Sequence, residues 1–252
     1  MAALSLHVAV PLRLLLVRHG LSSFNVERRI QGRDDLSTLT ASGQEQARLL
    51  GHALVDVPVQ AVYSSPLKRA ASTAAGILES RDDGLEATFD DGLLEIDLEP
   101  WSGLTAAERS ERFPEEFATW KQKPEALELI RKDGSRYSPY EELMKQARRF
   151  LDELVRRHPV NSDDTVLLVG HNAILRCLIV TLLGDPKQGF RRLRLDNASL
   201  SIFNLSPRNN GHQLQIECLN STAHLAPPLP AKGEGSRLIL VRHGETNWNR
   251  EG

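Results

Sequence analysis

Cysteine is nearly absent: the 252-residue sequence holds two, Cys177 in an apolar helical stretch and Cys218 in a strand-like one. Two cysteines so placed give neither a disulfide framework nor a metal-ligand spacing, and both read as buried small hydrophobes. Long apolar runs are missing as well. No window approaches the length of uninterrupted apolar residues a membrane helix needs, and Met1 to Pro11 lacks the basic stretch of a secretory leader. A soluble, cytoplasmic protein is therefore expected. An excess of charge of one sign is also lacking, since 31 Lys and Arg stand against 33 Asp and Glu, a formal net charge of -2. With no global basic field, neither nucleic acid nor an anionic membrane is an expected partner, and any anion bound should be small.

What is present is one phrase stated twice. Val17, Arg18, His19 and Gly20 follow an apolar run from Leu12, and Val241, Arg242, His243 and Gly244 repeat it. Arg13 to Asn25 and Arg237 to Asn249 share eight of thirteen residues without gaps, at an offset of 224, about one large domain. Only eight residues follow Gly244, too few for a sheet around the second copy. The organisation expected is a domain over 1–222, a Pro/Gly-rich linker over 223–235, and the truncated start of a second such domain over 236–252. The last segment should be either disordered or an extra edge strand, because a lone apolar strand cannot bury itself.

Between the copies, apolar runs of strand length alternate with helical patterns. Leu12–Val17, Ala61–Tyr63 and Thr165–Val169 read as buried strands. Helices are expected over Thr40–Asp56, capped by Ser42 with Glu45, and from Ser65 and Pro66 to Leu78. Further helices start at the Thr105 and Glu108 capping box, at Ser138–Pro139 and at His171, the last ending at Gly184. Ser199–Leu205 and Gln213–Leu219 look like a hairpin. The polar segment of about 100–140 is the natural cap over a site. This alternation implies an α/β fold, a three-layer α/β/α sandwich with a mostly parallel sheet, in which ligands bind beyond the carboxyl ends of the strands.

Three of those strand ends carry phosphate-suited residues: Arg18 and His19, Lys68 and Arg69, and His171. A lone Arg-His-Gly is more often just a strand end at the surface. Here it has partners. Arginine offers a planar fork of donors to phosphate oxygens, and histidines beside such charge stay neutral enough for one imidazole to act as nucleophile. Gly20 is expected to let the backbone approach a ligand closely. Arginines and two histidines without metal ligands point to covalent phosphoryl transfer.

These residues resemble the histidine phosphatase superfamily, the phosphoglycerate mutase-like proteins, at several places in order from Leu12 to about Leu219. The resemblance implies that His19 is the phosphorylated nucleophile and that Arg18 and Arg69 hold the phosphate, Arg69 through the Ser64-Ser65-Pro66-Leu67-Lys68-Arg69-Ala70 phrase. It implies that Asn25 also binds phosphate, that Gln31, Gly32 and Asn172 line the substrate pocket, and that His171, from Gly170-His171-Asn172, donates to the transferring group. Leu94-Glu95-Ile96 through Trp101-Ser102-Gly103 is similar to the phosphatase branch, which makes Glu95 the general acid and base, with Asp97 and Glu99 as runners-up. No cofactor and no metal is implied.

The reaction so implied is phosphomonoester hydrolysis on a small phosphorylated metabolite, such as a sugar or sugar-acid phosphate. Mutase-type transfer shares the covalent step and differs in the acceptor. A silent phosphate-binding or regulatory domain is the third reading, against which the retained acid stands. Leu21 replaces the family's usual glutamate, and Glu99-Pro100 its glycine before the tryptophan. The tandem arrangement resembles cyanobacterial and plastid proteins related to 2-carboxyarabinitol 1-phosphate phosphatase, so Lys121, Lys123, Arg131, Lys132 or Arg136 in the cap are candidates to meet a substrate carboxylate. The second domain of a parent chain is the one protein partner implied, and the sequence leaves the oligomeric state open.

Overall fold

The computed structural model describes residues 11–184, 189–208, 211–229, 236–241 and 243. In chain order the elements are β1 (Leu12–Arg18), α1 (Ser23–Val26), α2 (Ala41–Ala53), β2 (Ala61–Ser64), α3 (Lys68–Leu78) and β3 (Ala87–Phe89). The cap segment follows as α4 (Ala106–Arg112), α5 (Pro114–Gln122), β4 (Leu129–Ile130) and β5 (Arg136–Tyr137). The chain then returns through α6 (Pro139–Arg157), β6 (Thr165–Gly170), α7 (Asn172–Leu182), β7 (Leu200–Arg208) and β8 (Gly211–Ser221).

Six strands form one sheet in the order β3-β2-β6-β1-β7-β8, and β4 pairs with β5 alone. The first four are parallel, while β7 and β8 add as antiparallel strands. The expected three-layer, mostly parallel architecture is therefore present. The layers follow from side-chain alternation on β1 and β6. Leu14, Leu16, Val166 and Leu168 pack on the side of α6 and α7, whereas Leu15, Val17, Leu167 and Val169 pack with Leu50, Ala70, Ala74 and Ile77 of α2 and α3. Both faces of these strands are covered, which is why their sequence is continuously apolar. No helix among the described residues is long and apolar enough to cross a membrane.

Several local expectations need correction. Thr40, not Ser42, caps α2, its hydroxyl accepting from the Gly43 amide. Helix α3 begins at Lys68, with Ser65 and Pro66 outside it, and has no side-chain cap. β7 runs on past Leu205 to Arg208, and Pro207 pairs with His212. Cys218 is half-buried rather than core. Thr105 with Glu108 does form the reciprocal capping box, and Pro139 does open α6. Residues 236–241 pair with no strand and leave Leu238, Leu240 and Val241 exposed, so the edge-strand alternative is not realised among the described residues. Of the second copy, residues 242 and 244–249 lie outside the described residues.

Gly20 serves a purpose different from the one expected. A Cβ there would lie 2.5 Å from the carbonyl oxygen of Gly43, and a Cβ on Gly43 would lie 2.1 Å from that of Leu21. The missing side chains admit the first turn of α2 against the loop after β1, not a ligand against the backbone. That contact fixes the segment following His19, which Thr40 also ties down by bonding the Leu21 carbonyl at 3.0 Å.

Candidate active site

Parallel pairing sets Arg18 opposite Gly170, so the residues that follow, His19 and His171, leave adjacent strand ends together. Their ring centroids are 5.2 Å apart, and both side chains are buried. The His19 Nδ1 lies 2.8 Å from the Gly20 carbonyl oxygen. A carbonyl only accepts, so Nδ1 carries the proton and Nε2 keeps the lone pair. Burial, and then the charges of Arg18 and Arg69, hold the His19 pKa well below the usual histidine range, which keeps the ring neutral at pH 7. His171 is depressed by burial first, then by the charges of Arg69, His19 and Arg18.

Ser65, just past β2, stands 2.8 Å from His171 Nε2 through its hydroxyl. That hydroxyl also accepts from the Leu67 amide at 3.4 Å, which leaves its own proton to donate to the ring. The single ring proton of the neutral His171 is then on Nδ1, a buried atom with no protein partner.

Arg18 and Arg69 are held from behind by carbonyls. Arg18 Nη1 donates to Leu195 at 2.7 Å; Arg69 donates from Nη1 to Asp34 and from Nη2 to Gly32, both at 2.8 Å. Gly32 supplies its carbonyl from a left-handed backbone conformation, φ +51°, which glycine adopts without strain. In both arginines the Nε is buried without a protein partner. Burial lowers the Arg18 pKa to about 10 and lowers that of Arg69, with Glu95 opposing the shift in each, and both remain cationic at neutral pH.

Glu95 reaches the same point from the loop after β3. Its carboxylate accepts from the amides of Ala173 and Ile174 at the amino end of α7, and from Ile96. A helix amino terminus favours such a negative group. The loop is pinned from outside by Arg33, donating to the Glu95 carbonyl at 3.0 Å, and by Gln146, donating to that of Leu94 at 2.8 Å. Asp97 and Glu99 do not join it: Asp97 faces Arg131, and Glu99 accepts from the Lys132 amide.

A cavity of about 240 Å³ collects Arg18, His19, Gln31, Gly32, Arg69, Glu95 and Asn172 on its walls. His171 is not among the wall residues and has no exposed surface, its ring centroid 5.2 Å from that of His19. Asn25 is not there either. Its amide oxygen is occupied by Ser22 and, at 3.0 Å, by Asn197 Nδ2, which also donates to the His19 and Gly20 carbonyls. A wider groove of about 660 Å³ between α2 and α3 includes Glu45 and Arg48, but these already pair with each other at 2.6 Å. Among the described residues no three His, Cys, Asp or Glu side chains converge as a metal would require.

The cap cations expected to meet a carboxylate do not line this cavity. Arg131 pairs with Glu142 and Asp97, Lys132 with Glu99, Arg136 with Glu128, and Lys121 lies over the Phe117 ring. Beyond Arg18 and Arg69, the cations on the wall are Arg176 from α7 and Arg191 from the loop after it, beside Trp120 of α5 and Phe190. One of these had a visible signal: Arg176 is the sole charge inside the otherwise apolar helix α7.

A model of the histidine phosphatase superfamily (branch 1) matches residues 14–218. The chain is 36% identical over 241 residues to a probable 2-carboxy-D-arabinitol-1-phosphatase of Arabidopsis thaliana, covering 93% of this chain and 48% of that protein. It is also 36% identical over 213 residues to phosphoserine phosphatase 1 of Hydrogenobacter thermophilus, covering 84% of this chain and 94% of that one. The chain thus spans about half the length of the Arabidopsis relative and nearly all of the bacterial one. Bacillus stearothermophilus YhfR superposes with a TM-score of 0.72 at 28% identity, over 84% of this chain and 98% of that chain. With its sheet, its paired histidines and this match across most of its length, the chain belongs to branch 1 of the histidine phosphatase superfamily.

Proposed function

We propose that this chain hydrolyses phosphomonoesters through a phosphohistidine on His19. One observation carries the reading: a neutral imidazole, its proton held on Nδ1 by the Gly20 carbonyl, lies on the wall of a cavity that also has Arg18 and Arg69 on its walls. The arginines take the phosphoryl oxygens and spread their charge as the transition state forms. His19 Nε2 attacks phosphorus, the bond to the leaving oxygen breaks, and Glu95 in its acid form gives that oxygen a proton. In the second step the Glu95 carboxylate takes a proton from water, whose oxygen attacks phosphorus while the N–P bond breaks. Inorganic phosphate leaves and His19 is regenerated. His171, through Nδ1–H, stabilises a phosphoryl oxygen in both steps.

Water is the acceptor in this scheme because the Glu95 phrase resembles the phosphatase branch and because the Arabidopsis and Hydrogenobacter relatives are named phosphatases. The substrate class proposed is a small phosphorylated sugar or sugar acid, the protein cytoplasmic and the reaction free of metal. The repeated phrase, together with an Arabidopsis relative about twice as long, supports one further domain of this kind in the parent chain.

The test is acid-stability mapping of the intermediate. Protein mixed with a phosphorus-32-labelled monoester and quenched in base should carry label that is base-stable, acid-labile and located on residue 19. Label elsewhere, or turnover with none trapped even in a Glu95→Gln protein, would overturn the scheme.

A further inference from the structure

Strand β7 runs antiparallel to β1, and the pairing of Val17 with Leu200 sets the residues that precede β7 beside those that leave β1. The turn over 195–199 therefore grips the exit of β1 through its backbone. The Leu195 carbonyl accepts from Arg18 Nη1 and the Ser199 carbonyl from the Arg18 amide at 3.3 Å, while the Ala198 amide donates to the His19 carbonyl at 3.2 Å. Ala198 does so from a left-handed conformation, φ +53°, which a residue with a Cβ adopts at a cost, and such a conformation persists where its surroundings over-determine it. Here Asn220 accepts from the Asp196 amide at 2.7 Å and donates to its carboxylate at 2.8 Å, and His224 Nε2 donates to the Ala198 carbonyl at 3.0 Å.

The side chain of Asn197, in the middle of this turn, bonds the backbone on either side of the His19–Gly20 step. Its Nδ2 lies 3.1 Å from the His19 carbonyl oxygen, 3.1 Å from that of Gly20 and 3.0 Å from Asn25 Oδ1. Backbone oxygens only accept, so the amide nitrogen faces them and shares its two protons among these acceptors. The Gly20 oxygen is the one that also takes the His19 Nδ1 proton at 2.8 Å, so Asn197 and His19 use both of its lone pairs. The far end of the same peptide is held too, the Leu21 amide donating to Gln46 Oε1 at 2.8 Å. A peptide that follows glycine is otherwise free to turn, and these two bonds fix where its oxygen points.

We propose that Asn197 is a positioning residue for the nucleophile: by holding the Gly20 carbonyl in place it keeps the His19 proton on Nδ1 and leaves the Nε2 lone pair to attack phosphorus. The proposal rests on the reading of His19 as that nucleophile. An imidazole takes its tautomer from the hydrogen bond its other nitrogen makes. A neutral carbonyl, unlike a carboxylate, does not draw the proton by charge, so its direction decides. Once the N–P bond forms with Nδ1 still protonated, the ring is cationic and the same bond becomes charge-assisted. Asn197 is not among the cavity wall residues, so it acts through His19 and not on the substrate.

The experiment reads the tautomer directly by NMR of protein labelled with nitrogen-15 at histidine, above the ordinary histidine titration range, in wild type, Asn197→Ala and Asn197→Leu. The leucine variant fills the side-chain volume without the N–H, which separates packing from donation and serves if the alanine variant does not fold. The His19 signals are identified by their loss in His19→Asn. Wild type is expected to show a protonated Nδ1 and a bare Nε2. In both variants the Nε2–H form should appear, and phosphoenzyme formation in a rapid-quench measurement should slow by about tenfold or more. A protonated Nε2 in wild type, an Nδ1–H form that persists in both variants, or a shift in Asn197→Ala that Asn197→Leu restores would overturn the proposal. A shift in both variants supports the positioning role even if wild type forms no phosphoenzyme, in which case only the hydrolytic reading fails. Phosphoenzyme on His19 with a tautomer that neither substitution moves overturns the positioning role and leaves the hydrolytic reading standing.

Discussion

The Glu95 carboxylate closes the amino end of α7, accepting from the Ala173 amide at 3.1 Å and from the Ile174 amide at 3.2 Å. The group proposed to shuttle the proton is therefore held by the helix that follows His171. Glu95→Gln keeps an oxygen for these amides and removes the proton exchange. The fold should persist while kcat for an alkyl phosphate falls by about 10² to 10⁴. With p-nitrophenyl phosphate, whose leaving group needs no acid, formation of the phosphoenzyme should be far less affected. Rapid-quench kinetics on the two substrates checks this, and an equal loss on both would place the role of Glu95 outside proton transfer.

Gly20 and Gly43 form a close backbone contact that no side chain can enter. Gly43→Ala sets a methyl group 2.1 Å from the backbone oxygen of Leu21, which cannot rotate away. The expected destabilisation is about 3 kcal/mol, at the upper end of overpacking in a core. Urea unfolding measures it. A change below about 0.5 kcal/mol would mean that the loop after β1 yields freely.

Folding lowers the pKa of His19 and His171 below the ordinary value of 6.5, burial first and neighbouring arginine charge next. Below about pH 6.5 the unfolded chain binds protons that the folded chain refuses. Their contribution is thus fully present above that pH and is lost as the pH falls toward the folded values, by up to about 1.4 kcal/mol per unit for each histidine. Unfolding midpoints between pH 7.5 and 5.5 should fall less steeply in His19→Asn and His171→Asn than in wild type. Identical slopes would contradict buried neutral imidazoles.

Ser65 orients His171 from a distance of 2.8 Å. Ser65→Ala removes the donor that fixes the ring proton on Nδ1, so kcat should fall about tenfold, the equivalent of one hydrogen bond, with little change in KM. A rise in KM alone would show that Ser65 serves ground-state binding.

Much of this site was legible because its parts sit at the ends of short, strongly patterned strands. The apolar run Leu12–Val17 fixes where β1 ends, and whatever follows it must emerge at the carboxyl edge; the same holds for His171 after β6. The architecture followed from the same runs, since strands covered on both faces are apolar throughout. Legibility ended where tertiary packing chooses among equals. Arg131 and Arg176 are both cations near aromatic rings, yet one is satisfied by Glu142 while the other lines the cavity, and nothing local to either separates them. The role of Gly20 was equally hidden, because its neighbour in space, Gly43, lies across a loop and at the start of another helix. Thr40 and Ser42 are both competent caps by residue type, and the chain is extended at Thr40 and already helical at Ser42.

The most direct test of the central claim is release of inorganic phosphate from phosphorylated sugars, sugar acids and phosphoserine in excess chelator, with wild type beside His19→Ala. Steady turnover that survives the chelator and disappears with the substitution is the expected result. Turnover that persists in His19→Ala, or that the chelator abolishes in wild type, would contradict a phosphohistidine mechanism on this residue.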